Sequence, residues 1–348
     1  MIGNLLSSVF NRGIGAAQPA PAAVPVAAPA TAAPAAEPAP ADNAGGLIER
    51  EEFFRRKKLE TDLATLWMQG QLVLQALMAD PRHADPKRLE RYGWKSYSQS
   101  DEDGILAEIL QRIGVKHRTF VEFGAGDGLE NNTTWLLAQG WRGLWMDGGE
   151  YNADLVKLGF APLLAHGVLQ FQRVFVTLEN VDELIAAAGL GAEVDVLSID
   201  VDGNDVYLWE AISRTSARVV VIEYNGKFPP PSTWSIAYNP AHLWKGDDYM
   251  GASLGALVEV GRAKGYRLAG CNFAGNNAFF VRDDLAGDLF ASPATAEHLY
   301  QPARYDLIHA YRSGHGANSL SVVRGAQQAL GLDFDMAQVA AFCKPHVP

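Results

Sequence analysis

Two groups of residues in this 348-residue chain have types and spacings suited to chemistry. The first is Glu122-Phe-Gly124-Ala-Gly126-Asp127-Gly128, closely spaced glycines that follow the apolar run beginning at Thr119. Glycine lets a backbone press against a ligand with no side chain in the way, which suits an adenosine-type cofactor. Asp147 stands 23 residues after Gly124 at the end of Leu144-Trp-Met-Asp147, where a carboxylate can accept bonds from both hydroxyls of a ribose. The second group is Asp200-Val-Asp202-Gly203-Asn204-Asp205, followed by Glu223-Tyr-Asn225 and then Lys227.

The acidic group admits several uses. Asp200 or Asp202 with Glu223 and Asn225 would supply the hard oxygen ligands that suit Mg2+. Such an ion could lower the pKa of a substrate hydroxyl and orient it. Without metal, Asp202, Glu223 or His242 is the candidate general base, and Lys227 is close enough to the fifth strand to stabilise an oxyanion. Three carboxylates within six residues also raise a calcium loop, but the glycine directly follows Asp202 and position twelve is Ala211 where an EF-hand needs Glu. In the first group, Gly124, Gly126 and Gly128 would admit the methionine and ribose portions of a cofactor, with Glu122 or Asp127 placed to meet an ammonium. A dinucleotide fingerprint counted from Gly124 would need glycine at 129, and that position is Leu129.

These residues need a scaffold that brings strand ends to one edge. From Trp94 onward strand and helix signals alternate, the pattern of a parallel sheet covered on both faces. Strands are expected over Thr119–Phe123, Gly143–Met146, Val168–Val176, Val194–Ile199, Val219–Glu223, Tyr266–Cys271 and Ala278–Val281. Helices are expected over Ser100–Ile113 and near Asn132–Gln139, Ala153–Leu158, Val181–Ala188, Val206–Ile212 and Leu254–Lys264. The short Asn-Phe-Ala-Gly-Asn-Asn connection before the last strand allows only a turn, so that strand should run antiparallel. The expected fold is α/β: a doubly wound, seven-stranded, mostly parallel, Rossmann-like sheet.

The order of glycine loop, second-strand acid, fourth-strand acid and closing hairpin resembles the class I S-adenosylmethionine-dependent methyltransferases. The segment Tyr97-Ser-Gln-Ser-Asp-Glu-Asp-Gly-Ile-Leu, with Ser198-Ile-Asp-Val-Asp-Gly-Asn-Asp and Gly275-Asn-Asn-Ala-Phe-Phe-Val-Arg, is similar to segments of the FkbM-type methyltransferases. The resemblance covers about Trp94 to Leu285. It implies S-adenosylmethionine as cofactor, held by Glu122, Gly124, Gly126, Asp127, Gly128, Asp147 and Asp200. It also implies methyl transfer, usually to oxygen, commonly on a sugar, glycan or related small-metabolite hydroxyl. The acids Asp200, Asp202 and Glu223, with the amide of Asn225, resemble the metal site of small-molecule O-methyltransferases. Asp200, Asp202, Glu223 and Lys227 are then the candidate catalytic residues. The competing reading is a catalytically inactive methyltransferase-like module, tethered to a larger assembly.

Composition narrows the partners. The net charge of −11 disfavours an extended phosphate-binding surface and hence nucleic acid. Cys271 and Cys343 are too few for a disulfide framework, so a reducing, cytoplasmic setting is expected. No segment reaches the roughly 18 to 20 apolar residues that span a bilayer. Residues 1–46 read as a disordered leader and linker; from Ala16 to Pro40, 20 of 25 residues are Ala or Pro. A helical extension over 47–93 follows, with one long amphipathic helix over 47–79 that either packs on the main domain or serves self-association or a protein partner. The methyltransferase domain is expected over 94–285, and a helical C-terminal extension over 286–348 carries no assigned chemistry. The connection from Phe228 to Gly251 holds Trp234, Tyr238, Trp244 and Tyr249, which suit stacking on a sugar or packing among themselves as a lid.

Overall fold

The computed structural model describes residues 44–311 and 317–334, so the expected disorder over 1–43 and the end of the C-terminal extension lie outside the described residues. In chain order the principal elements are helix α1 (Ala44–Met78), α2 (Glu102–Ile113), strand β1 (Thr119–Phe123), α3 (Thr134–Ala138), β2 (Arg142–Asp147), α4 (Glu150–Gly159), α5 (Ala161–Ala165) and β3 (Leu169–Arg173). There follow α6 (Val181–Ala187), β4 (Glu193–Ile199), α7 (Asp205–Ala211), β5 (Ser216–Glu223), α8 (Leu254–Ala263), β6 (Tyr266–Cys271) and β7 (Asn277–Arg282). The C-terminal region adds α9 (Asp283–Ala286), α10 (Ala296–Leu299), a 3-10 helix at Tyr305–Tyr311 and α11 (Ser319–Leu330).

The strands form one sheet in the order β3-β2-β1-β4-β5-β7-β6. All pairings are parallel except those of β7, which runs antiparallel to both β5 and β6. The closing hairpin expected from the short connection is present, and β7 enters the sheet between β5 and β6. Runs such as Val219-Val-Val-Ile222 suit a strand buried on both faces. Val219 and Val221 point to one core with Ile105, Phe120 and Trp145, while Val220 and Ile222 point to the other with Phe123, Leu197 and Trp209. Along α2, Ile105, Leu106, Ile109 and Leu110 repeat at helical spacing and form its buried stripe.

Two extensions flank the sheet-forming segment in sequence. Beyond Phe54, α1 is half-buried only at Gly70, Gln71, Leu74 and Leu77, and Gln71 Nε2 donates to Ala310 O at 2.7 Å. Its Leu59, Leu63, Leu66 and Leu72 stay largely exposed, so from Arg55 onward the expected packing is seen in the last turns. At the other end, Ala303 N donates to Gly226 O and Arg304 N to Ala274 O, which ties the loops after β5 and β6 together.

The sheet order reverses between β1 and β4, the switch point at which an open α/β sheet leaves a crevice beyond its strand ends. The glycine loop leaves β1 there, and the Asp200–Asp205 loop leaves β4 beside it.

Candidate active site

A cavity of about 710 Å³ occupies the crevice, lined among others by Gly124, Gly126, Asp127, Asp147, Asp200 and Asp202. Each of the three loop glycines has positive φ: +73° at Gly124, +53° at Gly126 and +83° at Gly128. A Cβ on Gly124 would overlap the carbonyl oxygen of Asp200, and one on Gly128 would run into Trp145 and Phe160. A Cβ on Gly126 would meet nothing within 4 Å, so the space beside it is the open cradle of the cavity.

Asp147 holds that cradle. Its Oδ2 accepts from Gly126 N at 2.9 Å, and its Oδ1 accepts from Gly149 N at 2.7 Å and Asn152 Nδ2 at 3.3 Å. A carboxylate offers about four lone-pair sites, so it retains capacity for a ligand hydroxyl. Asp127 lines the cavity, and its Oδ1 accepts from Leu129 N at 3.0 Å.

Glu122 lies elsewhere. It is buried beneath the loop, with Oε1 accepting from Asn132 N at 2.9 Å and Oε2 from Thr133 N at 3.3 Å and from the Thr133 hydroxyl. It clamps the chain entering α3, and its burial pushes its pKa up. Asp127 rather than Glu122 is the carboxylate with access to a ligand.

The acidic loop is shaped by Asp205, whose carboxylate accepts from Val201 N and Gly203 N, each at 2.8 Å. This tight wrap puts Asp202 at φ +56°, a left-handed conformation that only short polar side chains adopt readily. Asp200, Asp202 and Glu223 each bring a carboxylate oxygen within 4.8 Å of the others, and Glu223 Oε2 has no hydrogen-bond partner among the described residues. Burial, then the like charges of its neighbours, pushes Asp200 and Glu223 well above the usual carboxylate range. Burial also raises Asp202, against the pull of nearby His242, and raises Asp205 to about 6. Acids held this close, two of them half-buried and Asp202 exposed to the cavity, favour either a retained proton or a cation.

Asn225 and Lys227 are committed to the loop that follows β5. Asn225 Nδ2 donates to Asp248 O at 2.9 Å and Met250 O at 3.2 Å, while its Oδ1 accepts from Lys227 N. Lys227 Nζ pairs with Asp248.

His242 comes from the same loop, which Asn204 secures by donating from Nδ2 to Asn239 O at 2.7 Å. The ring of His242 covers Gly203, where any Cβ would collide with it, and its buried Nε2 has no partner among the described residues. Phe228 stacks on Trp234 with centroids 4.1 Å apart, and Trp234 meets Tyr249 edge-on at 6.1 Å, so these aromatics pack among themselves. Trp244 differs: it lines the cavity, is half exposed, and is anchored by Nε1 donating to Asp247 O at 2.7 Å. Gln99, from the Tyr97–Leu106 segment, also lines the cavity, although its residue type alone gave no sign of a site.

The strand order, with β7 antiparallel between β5 and β6, makes the fold a Rossmann-like, seven-stranded α/β sheet. No protein-family model and no curated protein sequence matches the chain. Among solved structures, the chain is similar to the methyltransferase domain of bacterial CtHen1-C, at 13% identity over 53% of this chain and 97% of that one, with a TM-score of 0.36. It is similar to the O-methyltransferase from Bacillus cereus solved in complex with SAH, at 14% identity over 62% and 89% of the two chains, with a TM-score of 0.35. It is also similar to an O-methyltransferase family protein from Burkholderia thailandensis, at 11% identity over 52% and 57%, with a TM-score of 0.33.

Proposed function

We propose that this chain is an S-adenosylmethionine-dependent methyltransferase of the FkbM type, acting on a hydroxyl of a sugar, glycan or related small metabolite. The observation that carries this reading is the meeting at one switch point of an open glycine cradle, the carboxylate that braces it and a cluster of three acids, one of which, Glu223, has an oxygen without a hydrogen-bond partner among the described residues. The residues fit the cofactor: the space at Gly126 admits a ligand, Asp147 can accept from ribose hydroxyls, and Asp127 can meet an ammonium.

When bound, S-adenosylmethionine supplies an electrophilic methyl group on a sulfonium. The chain's own residues position the acceptor and take its proton. Trp244 offers an aromatic face against which a sugar ring can stack. Asp200, Asp202 or Glu223 receives the hydroxyl proton, because burial raises the proton affinity of all three and the like charges of neighbouring acids add to it. The same three oxygens fit Mg2+, which would discharge the cluster and lower the pKa of a bound hydroxyl. Much of the acceleration for an in-line displacement comes from alignment and exclusion of water, which fall to the loop carrying His242 and Trp244.

The test is titration calorimetry with S-adenosylhomocysteine, then transfer of labelled methyl to a panel of sugars and glycans with and without Mg2+. Binding and acceptor labelling are expected. No binding at millimolar ligand sinks the methyl-donor reading, whereas binding without labelling favours a noncatalytic module.

A further inference from the structure

The cavity's charge balance poses a problem that one residue answers. Its described lining contains no Lys or Arg, while Asp127, Glu130, Asp147, Asp200 and Asp202 all face it. Such a wall suits the sulfonium and ammonium of the methyl donor. The donor's carboxylate is the misfit, and in acidic surroundings it has to be met by neutral N–H groups.

Four carboxamides line the cavity: Gln99, Asn131, Asn152 and Asn204. Three have a donor already engaged, Asn131 with Glu122, Asn152 with Asp147 and Asn204 with the Asn239 carbonyl. Only the Gln99 NH2 has no hydrogen-bond partner among the described residues.

Its direction is set by a buried relay. Asn272 Oδ1 accepts from two main-chain donors, Asn276 N at 3.2 Å and Asn277 N at 2.9 Å, which fixes which side of that amide is oxygen. Asn272 Nδ2 therefore faces Glu102 Oε1 at 2.9 Å and Asn276 Oδ1 at 2.6 Å. Asn277 Nδ2 donates to the same Glu102 oxygen at 3.0 Å. With its oxygen taken, Asn276 turns Nδ2 to Gln99 Oε1 at 3.0 Å. Reversing Gln99 would set two NH2 groups face to face, so Nε2 is the end left for a ligand. Asn272, Asn276, Asn277 and Glu102 are all buried, whereas Gln99 sits at the cavity. Lys95 Nζ steadies its main chain by donating to Gln99 O at 3.1 Å.

We infer that Gln99 Nε2 binds the carboxylate of the methyl donor's methionine, and that Glu102, Asn272 and Asn276 are the positioning residues that present it. This rests on the methyltransferase reading above and assigns one subsite within it.

Calorimetry on the full chain with two ligands tests the assignment: S-adenosylhomocysteine, which carries the carboxylate, and methylthioadenosine, which lacks the amino-acid end. Gln99→Ala should weaken S-adenosylhomocysteine by about 10-fold or more and leave methylthioadenosine unchanged, as expected for one lost bond to a charged group. Gln99→Glu, nearly the same in shape, should weaken it further by repulsion, again for that ligand alone. Asn276→Asp, which replaces the donor that orients Gln99, should give an intermediate loss confined to S-adenosylhomocysteine. Equal weakening of both ligands, or unchanged S-adenosylhomocysteine affinity in both Gln99 variants, overturns the assignment. A wild-type chain that binds neither ligand overturns the methyl-donor reading itself.

Discussion

The carbonyl oxygen of Asp200 occupies the place where a Cβ on Gly124 would stand, so the ends of β1 and β4 meet with no room for a side chain between them. Gly124 also holds φ at +73°, where an L side chain is strained. Gly124→Ala should therefore cost about 2 kcal/mol or more, combining left-handed strain with a backbone overlap that has no flexible partner to yield. Gly126→Ala is the contrast. It carries similar strain but no clash, so it should cost about 1 kcal/mol while filling the cradle and weakening S-adenosylhomocysteine. Urea denaturation of both variants separates the two effects, and equal stabilities would refute the close approach.

Much of this arrangement was legible in the residues because it rests on backbone needs. Glycines at 124 and 126, the acid ending β2 and the short link into β7 each answer a local geometric demand. The insertion of β7 between β5 and β6 was not legible, since strand order depends on which edges meet across the whole sheet. The role of Glu122 also escaped the reading. A carboxylate beside a glycine loop can face a ligand or turn under the loop, and only the distant partners Asn132 and Thr133 decide which. Gln99 escaped for the same reason, because its orientation comes from Asn272 and Asn276, more than 170 positions away.

Asp147 is expected to act twice, once on the loop and once on the ligand. Asp147→Ala releases Gly126 N, Gly149 N and Asn152 Nδ2 together and removes the acceptor for ribose hydroxyls. Its S-adenosylhomocysteine dissociation constant should rise roughly 10- to 100-fold, the usual range for losing hydrogen bonds to a charged group. Asp147→Asn keeps one acceptor oxygen and should fall between. Calorimetry showing wild-type affinity in the alanine variant would remove Asp147 from the cofactor site.

Glu223 should trade stability against activity. Its Oε2 lacks a partner among the described residues and faces the like charges of Asp200, Asp205 and Asp202, so Glu223→Gln relieves repulsion while deleting a proton acceptor and an oxygen ligand. The melting temperature at pH 8 is expected to rise by a few degrees, with turnover down about 100-fold or more. Mg2+ should stabilise the wild type by binding the folded state and do so less in the variant. A variant that melts lower than the wild type, yet keeps its turnover, would refute both halves.

Buried acidic residues shape the pH dependence of stability. Burial raises Asp101 to about 7 and Asp103 to about 6, with Glu102 adding like charge to both, and Asp205 also stands at about 6. All three are fully buried. A carboxyl whose folded pKa lies above its unfolded value binds more protons folded than unfolded between the two. Stability therefore falls as pH rises through that interval, by up to about 1.4 kcal/mol per pH unit for each group with a full proton difference. Glu193 works in the opposite sense, since Lys116 and Arg282 hold it down at about 2, but its stabilisation is lost only as pH drops below the usual carboxylate range. Between pH 5 and 7.5 Asp101, Asp103 and Asp205 should act together with the raised carboxyls Asp200, Asp202 and Glu223, with the melting temperature declining steadily across about that window. Asp101→Asn, which keeps an oxygen to accept from Phe273 N, should flatten the upper part of the decline and raise stability near pH 7.5. Thermal unfolding of both proteins at half-unit pH steps decides the matter, and a wild-type melting temperature that is flat or rising over this range would contradict the raised protonation of these buried acids.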